Sequence, residues 1–160
     1  MGARMINARA ETLAERPAFR QALRSRRCLI AADGFYEWQS GPGSRKRPCY
    51  VSATDGAPLT FAGLWERWEN AADGVSVFSC AIITVPANEI LQRVHDRMPA
   101  ILDEDAQGDW LGGGSARTGS ALDQLQPAPA ERLRLQWVSP FVNSVGNDGP
   151  SCIEPLPTAV

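Results

Sequence analysis

Three Asp-Gly pairs punctuate the first half of the chain, Asp33-Gly34, Asp55-Gly56 and Asp73-Gly74, and each separates short stretches rich in apolar, β-branched and aromatic residues. Glycine takes a positive φ without steric cost, and aspartate accepts hydrogen bonds from the backbone just beyond it. Such pairs therefore favour tight turns and antiparallel pairing of the strands they join. Residues 28–31, 35–39, 48–52, 59–64 and 75–85 read as those strands, and Met5-Ile6 as the end of an earlier one. Pro17 suits the first turn of a helix ending near Arg26, with Phe19, Ala22 and Leu23 on its apolar stripe. Residues 87–92 read as a short helix and 103–111 as a helix with an acidic first turn, while Ser120 with Asp123 resembles a helix start. Residues 133–138 and 141–145 read as closing strands and 146–150 as a turn. Residues 40–44 read as an exposed loop and 112–115 as the most flexible point. The expectation is an α+β fold dominated by short antiparallel strands with a few helices, in one domain over residues 1–160 with 155–160 as a flexible tail.

Of 160 residues, 44% are hydrophobic, enough for a sizeable core. No apolar run approaches the ~18 residues of a membrane span, and no charged-then-apolar leader opens the sequence. A globular protein of the cytoplasm with no membrane partner is expected. Cys28, Cys49, Cys80 and Cys152 form no C-x-x-C pair and read as buried reduced thiols. Net charge is −2, but residues 1–50 hold ten Lys+Arg against four Asp+Glu, a net +6, and residues 51–160 hold six against fourteen, a net −8. A basic stretch containing Asn7, Arg9 and Glu37 suits local attraction of phosphate, whereas Arg24, Arg26 and Arg27 read as a solvated helix face.

Glu37 sits in Gly34-Phe35-Tyr36-Glu37-Trp38, one carboxylate among three aromatic rings. At a period of two, Phe35, Glu37 and Gln39 share one strand face and Tyr36 and Trp38 the other. Aromatic surroundings desolvate a carboxylate and raise its pKa, which suits a proton shuttle; a glutamate on the solvent face of an edge strand is the plainer reading. His95 is the sole histidine, so an imidazole acid–base step would need it, with Asp96 and Arg97 as neighbours; a structural histidine capping a loop fits equally. One histidine without close cysteines makes a poor metal site, so no metal is expected. No G-x-S-x-G elbow and no cysteine in an electropositive loop supplies a nucleophile. The residues alone reach a carboxylate, a histidine, an amide and two arginines, and no reaction.

Several stretches together resemble the SRAP family, the SOS response-associated peptidase domain proteins that process abasic sites in single-stranded DNA. They are Met5-Ile6-Asn7-Ala8-Arg9-Ala10-Glu11-Thr12, Ala32-Asp33-Gly34-Phe35-Tyr36-Glu37-Trp38, Phe61-Ala62-Gly63-Leu64-Trp65, residues 81–88, and His95-Asp96-Arg97-Met98-Pro99. Val142-Asn143 and Asn147-Asp148-Gly149-Pro150 resemble the family's C-terminal block. In such proteins a cysteine following the initiator methionine becomes the N-terminus, attacks the ring-opened sugar aldehyde and closes a thiazolidine with its amine and thiol. The resemblance implies that Asn7 positions that cysteine, that Glu37 shuttles protons for Schiff-base formation and any lyase step, and that His95 is the second acid–base group. It likewise implies that Arg9 and Arg97 hold phosphates, that Trp38 lines the cleft for unstacked DNA, and that an autopeptidase step removes the methionine. No cofactor is implied, and the partner is single-stranded DNA containing abasic sites.

Position 2 is Gly2 and no cysteine precedes Cys28, so the chain reads as a family member lacking the N-terminal segment that carries the nucleophile. A non-catalytic single-stranded DNA-binding remnant is the alternative, and an unrelated acid–base hydrolase built on Glu37 and His95 a third. An open sheet edge left by a missing segment would favour self-association or a complementing segment.

Overall fold

The computed structural model describes residues 5–41, 46–112 and 118–156. Its strands and helices follow one another as β1 (Asn7–Arg9), α1 (Pro17–Ser25), β2 (Arg27–Ala32), β3 (Phe35–Ser40), β4 (Lys46–Ala53), β5 (Leu59–Glu69), β6 (Ser76–Pro86), β7 (Arg97–Pro99), α2 (Glu104–Leu111), α3 (Thr118–Asp123) and β8 (Leu133–Trp137). This is an α+β architecture of mostly short strands. The chain divides into two compact units: residues 1–31, 60–86 and 98–128, and residues 32–59, 87–97 and 129–160.

The first unit is built on a sheet of order β1-β6-β5-β2, with β7 also paired to β6. β5 and β6 pair antiparallel from Gly63↔Ile82 to Glu69↔Ser76 around Asp73-Gly74. Gly74 takes φ 70°, and the Asp73 carboxylate accepts from the Val75 N–H at 3.0 Å, the turn chemistry anticipated for Asp-Gly. α1 starts on Pro17 and buries Phe19, Ala22 and Leu23, as its periodicity requires. α2 is capped by Asp103, whose side chain accepts from the Ala106 N–H at 2.9 Å. It sets Trp110 at 0% exposure with the indole N–H donating to the Cys28 carbonyl at 2.9 Å.

In the second unit, β3, β4 and β8 form a three-stranded antiparallel sheet in that order. Phe35↔Val51 runs to Ser40↔Lys46 on one side of β4, and Cys49↔Trp137 to Ala53↔Leu133 on the other. Cys49, Val51 and Val138 are fully buried. Gly34 leads into β3 where a Cβ would meet the Val51 carbonyl and lie 2.5 Å from the Tyr50 ring, so only glycine lets the backbone approach this closely.

Several expectations change. Asp33-Gly34 and Asp55-Gly56 do not join paired strands, because β2 and β5 belong to one sheet and β3 and β4 to the other. Their turn chemistry is nonetheless present at Asp55, which accepts from the Ala57 N–H at 2.9 Å while Gly56 takes φ 77°. A turn reverses the chain but does not choose its partner. The early strand is β1 itself, parallel to β6 through Asn7↔Ile82 and Arg9↔Thr84. Residues 141–145 form no strand: Pro140–Asn143 is a 3-10 turn opened by a proline whose fixed φ suits it, and the Ser139 hydroxyl accepts from the Phe141 N–H at 3.2 Å. The helix expected over 87–92 reduces to the 3-10 turn Leu91–Arg93, and α3 begins at Thr118, ahead of Ser120. Arg27 is no solvated helix residue. It opens β2 and donates to the carbonyls of Trp110 and Gly112, and to that of Leu23 at 2.7 Å. The four cysteines are free thiols, but Cys28 is half-buried and Cys80 exposed. Gly2, residues 42–45, 113–117 and 157–160 lie outside the described residues.

Candidate functional site

The second unit gathers Glu37, Trp38, His95 and Arg97. Glu37 lies mid-way along β3, opposite Cys49 on β4, and is half-buried. Burial raises its pKa above the ordinary carboxylate value; the charge of His95, a hydrogen bond from the Trp38 backbone N–H and Lys46 work against that rise, and Asp96 adds to it. The carboxyl is thus biased towards its protonated form while a histidine and a second carboxylate stand close enough to be felt, the setting of an acid–base group. The Cys49 thiol beside it is pushed up to about 11, first by burial. At neutral pH it stays protonated and is no nucleophile.

His95 is held by its backbone, whose N–H donates to the Leu91 carbonyl at 2.8 Å, and the Ala87 N–H donates to the Asp96 carbonyl at 2.9 Å. Its Nδ1 accepts from the Arg97 N–H at 3.0 Å, which leaves the proton of the neutral ring on Nε2. When the ring is doubly protonated, Nδ1–H can donate to Asp96 Oδ1 or to the Arg97 carbonyl, each at 3.2 Å. Gln39, on the Glu37 face of β3, donates to the Arg93 carbonyl at 2.8 Å and so ties the strand to the loop bearing His95. Trp38 packs against Tyr36 with ring centroids 6.2 Å apart, and its indole N–H donates to the Asn143 side chain at 2.8 Å.

Asn7 and Arg9 belong to the first unit. Both are exposed on one face of β1, while Ala8 between them is buried at 1% exposure. The sequence points to Glu37, His95 and their neighbours as candidates but not to the hydrogen bonds that Gln39 and Asn143 make to the Arg93 carbonyl and the Trp38 indole. Gln39 carried a signal, sharing the period-two face of Glu37; Asn143 stood out only as part of the resembling C-terminal block, and nothing in the sequence joined it to Trp38, 105 residues away. Among the described residues no cluster of three His, Cys, Asp or Glu is placed to hold a metal, and no helix is long and apolar enough to cross a membrane.

Comparison with known proteins adds a frame to this geometry. The family model described as SOS response associated peptidase (SRAP) matches residues 1–145. The abasic site processing protein YoqW of Bacillus subtilis is 41% identical over 154 residues, which cover 96% of this chain and 68% of that protein. The abasic site processing protein HMCES of Gallus gallus is 34% identical over 96% of this chain and 51% of its own length. A crystal structure of a protein from Bacteroides thetaiotaomicron superposes with TM-score 0.82 at 28% identity, over 94% of this chain and 65% of that one. The chain therefore spans about two thirds of its bacterial relatives and about half of the vertebrate one.

Proposed function

We propose, because the chain belongs to the SOS response associated peptidase family, that it recognises abasic sites in single-stranded DNA in the cytoplasm and that Glu37 and His95 carry the proton transfers there. The observation that carries this reading is the Glu37 carboxyl, raised by burial with His95 and Asp96 beside it. An imine forms from an amine and a sugar aldehyde when the C–O bond of the carbinolamine breaks: an acid protonates the hydroxyl, which leaves as water as the C=N bond forms, and the resulting carboxylate takes up the proton that the nitrogen then loses; a carboxyl whose pKa is raised by burial suits that role. Trp38, held by Asn143, would offer an aromatic face to an unstacked base, and Arg9 and Arg97 would hold flanking phosphates. In family members carrying an N-terminal cysteine, its amine and thiol would complete the covalent DNA link with Asn7 positioning them, and an autopeptidase step would expose them. A second copy of the chain is a further proposed partner.

The second reading is a non-catalytic single-stranded DNA binder that keeps Arg9, Trp38 and Arg97. Thiol chemistry favours it: Cys49 is pushed up to about 11 and Cys28 is raised by burial and by Cys80, so neither supplies a thiolate at neutral pH. The test is binding and strand incision on oligonucleotides with and without a natural abasic site. Under the first reading the protein prefers the abasic strand, and Glu37→Gln slows incision roughly 10²–10⁴-fold with little change in binding. Preferential binding with no incision selects the second reading, and equal affinity for both strands overturns recognition of the lesion.

A further inference from the structure

Residues 87–97, which carry His95, are braced by bonds of their own. The Ala87 N–H donates to the Asp96 carbonyl at 2.9 Å and closes the two ends of the segment on each other. Inside it the Gln92 N–H donates to the Asn88 carbonyl at 2.9 Å, and the Val94 and His95 N–H groups both reach that of Leu91 at 2.8 Å. The Asn88 side chain accepts from the Leu91 N–H at 3.1 Å, and the Gln92 side chain donates to the Ala87 carbonyl at 3.0 Å. Such bonds fix where His95 lies within its loop. They do not fix how far the loop stands from Glu37 on β3, because only a bond that crosses from strand to loop can do that.

Gln39 makes a bond of that kind. It lies two residues beyond Glu37 on β3, so the two side chains leave the same face of the strand about 7 Å apart. Its Nε2 donates at 2.8 Å to the carbonyl of Arg93, the last residue of the 3-10 turn Leu91–Arg93 and two residues before His95. The closing carbonyls of a turn have no partner within it, so the amide meets an acceptor that the turn cannot use. The residue type follows from the charges nearby. A carboxylate at position 39 has no proton to donate, and a lysine donates but sets a cation beside Glu37. Glu37 already feels His95 and Asp96 from the loop and Lys46 from β4, and the amide holds the loop without adding to them. We propose, on the reading that Glu37 and His95 carry the proton transfers, that Gln39 is the positioning residue for that pair, its neutral amide setting the spacing at which both groups reach one substrate. Without it the loop takes His95 and Asp96 away from Glu37 together. A misplacement of ~1 Å can cost roughly 10²-fold in rate.

The chain holds a single histidine, so its imidazole signals belong to His95 without further assignment. In an NMR titration of the full chain those signals should show, besides their own inflection, one that coincides with ionisation of the Glu37 carboxyl. Glu37→Gln identifies it, since that inflection disappears while any from Asp96 remains. Gln39→Leu should keep the circular dichroism spectrum, lose the Glu37 inflection and slow abasic-strand incision roughly 10–100-fold, with KM changed less than kcat. Gln39→Lys keeps a donor and should retain the inflection at a lower pH, because its cation favours the Glu37 carboxylate. An inflection of parental size in Gln39→Leu overturns the positioning role, and so does a folded Gln39→Lys without one or a parent whose His95 signals ignore Glu37. If Gln39→Leu does not fold, the Gln39→Lys titration decides. A parent that shows the inflection, loses it in Gln39→Leu and incises no abasic strand keeps Gln39 as the residue that spaces the pair and sinks only the assignment of the pair to abasic DNA.

Discussion

Glu37 is where a single side chain can be tested by titration. Its folded-state pKa lies above the unfolded value because burial penalises the carboxylate, so ionising it costs the folded state more than the unfolded one. The stabilisation tied to the raised pKa is fully present below the unfolded carboxyl pKa and is lost as pH rises through the folded one. Glu37→Gln is therefore expected to melt above the parent at pH 8, with the difference closing towards pH 4; thermal melts across that range check it, and a constant difference would show that burial is not the cause. Gly34 makes a second test: alanine there drives a methyl into the Val51 carbonyl and the Tyr50 ring, and a loss of ~1–3 kcal/mol by denaturant unfolding is expected. The alternation along β3 was legible in the sequence: a period of two puts Tyr36 and Trp38 on one face, where their rings stand 6.2 Å apart, and Glu37 with Gln39 on the other. The need for glycine at 34 was not, since it arises from β4 and not from the turn.

At the scale of elements, helices with local signals were readable, as was the antiparallel pairing of β5 and β6 across Asp73-Gly74, and the other strand partners were not. Pro17 and Asp103 announce their helices because proline at the first turn and an aspartate cap act within a few residues. Asp103→Ala is accordingly expected to cost ~1 kcal/mol in chemical denaturation. β1 and the two Asp-Gly segments that pass between sheets were misjudged for the opposite reason: which strand receives them depends on residues far along the chain. Arg27 shows what such distance hides. One guanidinium closes the C-terminal carbonyls of α2 and reaches Leu23 in α1 while its charge lies 5.6 Å from the Trp110 ring centre. Removing it strands carbonyls from two helices, so Arg27→Met is expected to lose ~1.5–3 kcal/mol where Arg24→Met loses almost nothing.

Over the whole molecule, the charge asymmetry read along the sequence does not survive folding. The first unit holds nine Lys+Arg against ten Asp+Glu and the second seven against eight, a net −1 each. Under the proposed function, affinity for DNA would come from individual cations and not from a basic unit, and Arg9 and Arg97 are the cations proposed for it. Each phosphate contact contributes about 0.7 to the salt slope on single strands, so Arg9→Ala with Arg97→Ala is expected to flatten that slope by about 1.4, measured by anisotropy between low and moderate salt. An unchanged slope would remove both residues from the interface. The bond from Trp38 to Asn143 spans 105 residues of chain. A ribosome adding about 5–20 residues per second leaves that indole without its acceptor for roughly 5–20 seconds, so the tie that fixes Trp38 on β3 is among the last features a nascent chain can complete.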